Sequence, residues 1–135
     1  MPFVVSPSNH ERPFDRLRAN VSGPVFGAMI KAMSLIKRKP GLTQEEFARH
    51  YEEVHVPLAM KHFPFRKYVR NYVIKLPDAG EPDFDCITEV WFETMDDCQA
   101  AAEFSASKEY KVIADDEEKF MDRNSILAFI VEERE

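Results

Sequence analysis

The sequence is poor in cysteine and glycine and holds no long apolar run, and each shortage closes off a class of protein. Two cysteines, Cys86 and Cys98, cannot staple a 135-residue chain in the manner of a small secreted scaffold. Neither has a base at fixed spacing, so a nucleophilic thiol has no support. With four glycines there is no G-x-G-x-x-G and no P-loop, which argues against a nucleotide or dinucleotide cofactor. No stretch approaches the roughly 20 consecutive apolar residues of a membrane span. The N-terminus, MPFVVSPSNHERPFDRL, lacks the basic-then-apolar order of a signal peptide. The expectation is a cytoplasmic protein without membrane contact, in which the sequon Asn20-Val21-Ser22 has no meaning. Basic residues are outnumbered, 18 Lys and Arg against 24 Asp and Glu, for a net charge of −6. Lys37-Arg38-Lys39 and Arg66-Lys67 then read as solvated surface, and no nucleic-acid partner is expected. H-x-x-x-H, C-x-x-C and paired-carboxylate ligand sets are missing as well. His50 and His55, five positions apart, diverge by about 140° on an α-helix, so no metal site is expected.

What is present suffices for one domain. Hydrophobic residues make up 44% of the chain and aromatics 12%, enough for a single core at this length. Residues 1–27 show neither helical nor strand periodicity and carry Pro2, Pro7, Pro13, Pro24, Gly23 and Gly27. They read as an irregular extension. The stretch Arg12 to Asn20 resembles peptides translated from repetitive elements of bacterial genomes, which would put a natural start at Met29. The other reading is an arm that packs on the body or on a second subunit. No chemistry is expected there, His10 included.

The body, residues 28–135, is regular. Ala28 to Ile36 is a strand candidate that ends at the turn Lys39-Pro40-Gly41. Thr43 and Glu46 have capping-box spacing, and Phe47, Tyr51, Val54 and Leu58 then form one apolar helical stripe. Pro57 is expected to stop or kink that helix at about Val56. A second strand is predicted over about Lys67 to Leu76, with Tyr68, Arg70, Tyr72 and Ile74 on one face. Asp85 to Glu93 is a third strand, with Ile87, Glu89 and Trp91 opposing Cys86, Thr88, Val90 and Phe92. Asp96 is the expected N-cap of a helix over Asp97 to about Ala106, followed by a helical stretch from Lys108 to about Met121. In that stretch Asp115-Asp116-Glu117-Glu118 reads as a solvated face. Ser125 to Glu132 closes the chain as a strand.

The order β-α-β-β-α-β is an α+β, ferredoxin-like arrangement: one antiparallel sheet with both helices on one face. Strands three and four carry apolar side chains on both faces, so the second face needs a cover. A second copy of the same sheet, packed face to face in a C2 homodimer, is the expected cover.

The run Lys37-Arg38-Lys39-Pro40-Gly41-Leu42-Thr43, then Phe47, Tyr51 and His55-Val56-Pro57-Leu58, resembles the EthD family of small dimeric α+β barrel proteins. The likeness continues through Glu89-Val90-Trp91-Phe92 and Phe120-Met121-Asp122-Arg123 and spans about Met29 to Glu132. The resemblance implies a dimeric α+β barrel. The wider superfamily includes polyketide cyclases and decarboxylases, dehydratases, muconolactone isomerases, quinone-forming monooxygenases and haem-handling proteins, and a shared fold does not choose among them.

His55 is the first candidate for chemistry, because it follows Tyr51 by four positions and faces the sheet. A partly buried imidazole can take a proton from an acidic carbon or phenol and return it elsewhere. The alternative is a core histidine that caps the helix end, and the family signature, which has a histidine here, favours the former. Tyr51 and Tyr72 are candidates to orient substrate oxygens, and Tyr68 to touch a ligand; packing is the competing role for all three. Phe47, Trp91 and Phe92 are expected to line a pocket, with core packing the competing role for Trp91 and Phe92, one of which must face the helices and the other the dimer partner. Glu89 and Arg70 are candidates to bind substrate. A carboxylate in a central strand is costly to bury unless paired or protonated, so Glu89 lies near an edge opening or is functional. The competing role is an ion pair with Arg70 on the neighbouring strand if the two face the same side. Two functions follow. One is an enzyme without a cofactor that decarboxylates, dehydrates, cyclises or isomerises a hydrophobic aromatic or polyketide-like molecule, or oxygenates it once deprotonated. The other is a small-ligand binding or accessory protein of an oxidative pathway.

Overall fold

Strict alternation of side chains builds the sheet in the computed structural model, which describes residues 29–135. The extension at 1–27, with His10 and Asn20, lies outside the described residues. Strands β1 (Ile30–Ile36), β2 (Lys67–Tyr72), β3 (Cys86–Phe92) and β4 (Leu127–Val131) pair in the order β2-β3-β1-β4, every neighbour antiparallel. With helices crossing from β1 to β2 and from β3 to β4, this is the expected ferredoxin-like α+β fold. The turn after β1 forms at Lys39-Pro40-Gly41-Leu42, where Leu42 N–H donates to the Lys39 carbonyl at 3.2 Å. Gly41 takes φ +96°, the left-handed position that a proline-started turn of this type demands.

Helix α1 (Gln44–His50) opens on the expected capping box, with Thr43 Oγ1 accepting from Glu46 N–H and Glu46 accepting from Thr43 N–H, each at 3.0 Å. Pro57 does not end the helix. A π-helical turn over Tyr51–His55 leads directly into α2 (Val56–His62). In that turn Val56 N–H reaches back five residues to the Tyr51 carbonyl. The next nitrogen belongs to Pro57, which has no N–H to place, and the wider turn gives its ring the room an α-turn denies. The extra residue also re-phases the apolar stripe. An α-helix slips about 40° for every four residues, yet the buried positions are Phe47, Tyr51, His55, Ala59 and Phe63, each four apart. Val54, expected in the stripe, is 45% exposed.

The second crossover runs through α3 (Met95–Ser105), a 3-10 turn at Lys108–Tyr110, and α4 (Lys111–Phe120); a further 3-10 turn at Arg123–Ser125 leads into β4. Thr94, rather than Asp96, caps α3 by accepting from Asp97 N–H at 3.1 Å, which leaves Asp96 and Asp97 in the first turn beside the positive end of the helix. Strand β2 stops at Tyr72, short of the expected Leu76, and Ile74 is exposed. Arg38 departs from a solvated role: its guanidinium meets the buried Asp85 at 2.9 Å and its N–H donates to the same carboxylate.

Two apolar clusters lie between sheet and helices, one around Phe92, Ala101 and Ile113 and one around Ile36, Phe47, Tyr51 and Phe120. The opposite sheet face carries Met33, Leu35, Val69, Ile87, Trp91, Leu127, Phe129 and Val131 in register. Leu127 and Phe129 are close to half exposed there.

Candidate functional site

The π-turn is what makes the site. It brings His50 and His55, which an ideal α-helix would splay apart, onto one carboxylate of α4. His55 Nδ1 stands 2.9 Å from Asp116 Oδ2, and His50 Nε2 stands 3.0 Å from Asp116 Oδ1. A carboxylate only accepts, so both nitrogens donate and His55 is left with Nε2 as its acceptor. His55 and Asp116 are buried, at 2% and 4% exposure, while His50 keeps a quarter of its side chain exposed. Phe120 packs against both imidazoles, with ring centroids at 4.6 Å from His50 and 5.0 Å from His55. Burial pushes the His55 pKa below the ordinary imidazole value, against the opposing pull of Asp116 and Glu117, so the ring is neutral at neutral pH.

The acidic run of α4 is therefore not a solvated face. Asp115 and Glu118 are exposed, but Asp116 and Glu117 point inward between Ile113 and Phe120. Glu117 is fully buried, accepts from Tyr110 Oη at 2.7 Å and lies 3.4 Å from Arg123 Nε. Buried charge tolerates this because each carboxylate has hydrogen-bonding partners.

A chain of hydroxyls runs beside the imidazole. Tyr68 Oη donates to Tyr51 Oη at 3.1 Å, and Tyr51 Oη meets Thr88 Oγ1 at 2.7 Å. The Tyr51 ring stands edge-on to His55 at 5.5 Å. Burial raises both phenol pKa values, so these groups act as neutral hydrogen-bonding hydroxyls. Burial likewise pushes the Cys86 thiol up to about 11. Toward solvent, Arg70 grips Glu52 through Nε at 2.8 Å and Nη2 at 2.7 Å, and Tyr72 Oη donates to the same carboxylate at 2.5 Å. The Arg70 guanidinium also lies over the Tyr68 ring, 4.9 Å from its centroid. Hydrogen bonds from Arg70 hold the Glu52 carboxyl below the usual range.

The structure thus brings His55, Tyr51, Tyr68, Tyr72, Arg70 and Phe47 together on the helix side of β2 and β3. Phe92 faces the same side but packs in the other cluster, against Phe65. Glu89 and Trp91 lie on the opposite face. The expected Arg70–Glu89 pair does not form, because Arg70 is in register with Thr88 and points inward while Glu89 points outward. Glu89 instead meets Lys31 at 2.6 Å and Asn71 at 3.0 Å. Trp91 is flanked by the Lys31 and Lys67 ammonium groups at 4.8 and 4.6 Å. Sequence reasoning missed Asp116, His50, Glu52, Thr88 and Phe120 as members of this constellation. The one signal was the helical spacing of Ile113, Asp116, Glu117 and Phe120, which places acids and apolar residues on one face. Among the described residues, no three His, Cys, Asp or Glu side chains are grouped to hold a metal ion, and no helix is long and apolar enough to cross a membrane.

Several solved structures share this fold. An ethyl tert-butyl ether D (EthD) family protein from Bacillus halodurans superposes with TM-score 0.57 at 23% identity, covering 79% of this chain and all of its own. An Arabidopsis thaliana protein gives TM-score 0.55 at 17% identity, over 78% of this chain and 96% of its own. A dimeric protein of unknown function with a ferredoxin-like fold, from Bacteroides fragilis, gives 0.52 at 15% identity, again over 78% and 96%. No curated protein matches the sequence. The EthD domain model matches residues 39–124, from the turn before α1 to the segment that precedes β4, and the chain belongs to the EthD family.

Proposed function

We propose that this EthD-family protein is a small enzyme that moves protons on a hydrophobic aromatic or polyketide-like molecule, with His55 as general base and acid. The observation that carries the reading is the Asp116–His55 pair: a buried carboxylate holds Nδ1–H at 2.9 Å and leaves Nε2 as the base. Desolvation keeps that imidazole neutral near pH 7, the state in which it can take a proton from an activated C–H or phenol O–H. The positive charge formed on the ring is stabilised by Asp116, and the proton is returned from Nε2 to another atom of the product. Such a cycle needs no cofactor and fits decarboxylation, dehydration, cyclisation or isomerisation; the same deprotonation would open a carbanion to oxygen. Tyr68, Tyr72 and Arg70, on the solvent side of Tyr51, are the groups placed to meet substrate oxygens. Tyr51 has its hydroxyl occupied by Thr88 and Tyr68 and serves them from behind.

A second copy of the chain is proposed to cover the open sheet face, in a homodimer like that stated for the Bacteroides fragilis relative. Supporting this is the row of Met33, Val69, Trp91, Phe129 and Val131, too apolar to face water alone.

One observation favours the alternative of a ligand-binding protein without turnover: the Tyr68–Tyr51–Thr88 chain already satisfies its hydroxyls internally. The experiment is deuterium wash-out from the acidic carbon of an aromatic 1,3-diketone probe, followed by NMR. Wild-type protein is expected to accelerate exchange, and His55→Ala to slow it by about 10²-fold or more with the fold intact. Binding of the probe with no acceleration by either protein would replace the enzyme with the binder.

A further inference from the structure

The two histidines on Asp116 have different surroundings, and that asymmetry assigns them different tasks. His55 is buried, whereas His50 reaches the surface and spends its Nε2–H on the carboxylate oxygen that His55 does not use. We infer that His50 is a positioning residue for His55, acting through Asp116: its hydrogen bond fixes the carboxylate with Oδ2 against His55 Nδ1–H, and so keeps His55 in the tautomer whose Nε2 is free. This rests on the general-base reading of His55 and extends it to a residue that never meets the substrate.

The second oxygen of Asp116 decides this. A carboxylate that accepts at both oxygens, from His50 Nε2–H at 3.0 Å and His55 Nδ1–H at 2.9 Å, is fixed in its rotation. With the His50 bond removed it can turn away from Nδ1–H, and the imidazole then loses the partner that selects its tautomer and can carry its proton on Nε2. The base would then face the substrate with nothing to accept a proton. His50 prevents this in either of its own protonation states, because Nε2–H donates from the neutral ring and from the imidazolium alike. Other groups facing this cluster do not substitute. Glu117 adds negative charge beside His55, which favours imidazolium but donates nothing to Asp116. Tyr51 packs edge-on against His55, its hydroxyl engaged by Thr88 and Tyr68, and Phe120 is apolar. The π-turn is the device that allows the arrangement, since the five-residue spacing of the two histidines matches its backbone hydrogen bond.

The test reads ring nitrogens and does not depend on turnover. Full-length protein labelled with ¹⁵N-histidine is followed by long-range ¹H–¹⁵N NMR from about pH 8 to pH 5, the range in which imidazoles titrate. Wild-type His55 is expected to show Nδ1 protonated and Nε2 bare in its neutral form. His50→Leu is expected to raise the share of the Nε2–H tautomer in the neutral ring, and His50→Gln, whose amide still donates, to restore the wild-type pattern. Asp116→Asn, which can donate to Nδ1, is expected to give the Nε2–H tautomer wherever the ring is neutral. An Nε2–H tautomer in wild-type protein would overturn the inference without any variant, and an unchanged Nδ1–H tautomer in His50→Leu would overturn the role of His50. Loss of proton transfer in His55→Ala concerns the general-base reading alone, so the two can fail separately.

Discussion

Replacing Asp116 by alanine, beside the same change at Asp115, separates a buried structural charge from a solvated one on adjacent residues of one helix. Asp116 holds two imidazole N–H groups, one of them on the buried His55. Removing it leaves the His55 Nδ1–H without an acceptor away from water, which costs about 1–3 kcal/mol. His50, a quarter exposed, can turn to solvent and adds less. The small void beside Phe120 contributes further, so the total comes to about 2–4 kcal/mol. Asp115 is 60% exposed and pairs with Lys111, four residues earlier at 2.7 Å. An exposed pair of that kind is worth about 0.3–0.5 kcal/mol. Urea denaturation at pH 7, followed by far-UV circular dichroism, is expected to lower the midpoint strongly for Asp116→Ala and barely for Asp115→Ala, with unchanged slope. Equal effects within about 0.5 kcal/mol would refute the inward placement of Asp116 and the paired-histidine site with it.

Two further outcomes follow from the same structure. Burial lowers the His55 pKa in the folded protein, so between that value and the unfolded value of about 6.5 the unfolded chain binds more protons. The His55 contribution to stability is therefore complete above about pH 6.5 and is lost as the pH falls through the folded value; His55→Gln should flatten that part of the stability–pH curve, and an unchanged curve would contradict the shift. On the open sheet face, Phe129→Asp sets a charge among Met33, Leu127 and Val131, and light scattering should report single chains of 15.7 kDa where wild-type protein gives twice that mass. A dimer that survives this change does not use the face proposed.

Much of the fold was legible because it rests on local chemistry. The capping box at Thr43 and Glu46, the Pro40-Gly41 turn and the alternation in Cys86 to Phe92 each depend on neighbours a few positions apart. The first helix was legible as far as His55. A 3.6-residue period also assigns Val54 to the buried face, but the π-turn leaves it exposed and carries burial on to Ala59 and Phe63, with Leu58 partly buried against the core. Pro57 marks where this happens, yet a proline alone signals an interruption and not its kind. Strand adjacency alone pairs Arg70 with Glu89, but a one-residue difference in register puts them on opposite faces.

The sequence by itself determined the order of strands and helices, the family signature from Lys37 to Leu58, and His55 as the imidazole on the inner stripe, since periodicity and capping are properties of contiguous residues. Only the tertiary structure decided that Asp116 is the partner of His55, that His50 shares it, and that Glu52 is the partner of Arg70. Those pairs join residues 18 to 66 positions apart. In the run of four acids, helical spacing from Ile113 and Phe120 marks Asp116 and Glu117 as the two that share the apolar side, but nothing local names the groups they meet. That choice is made by the elements packed against this face.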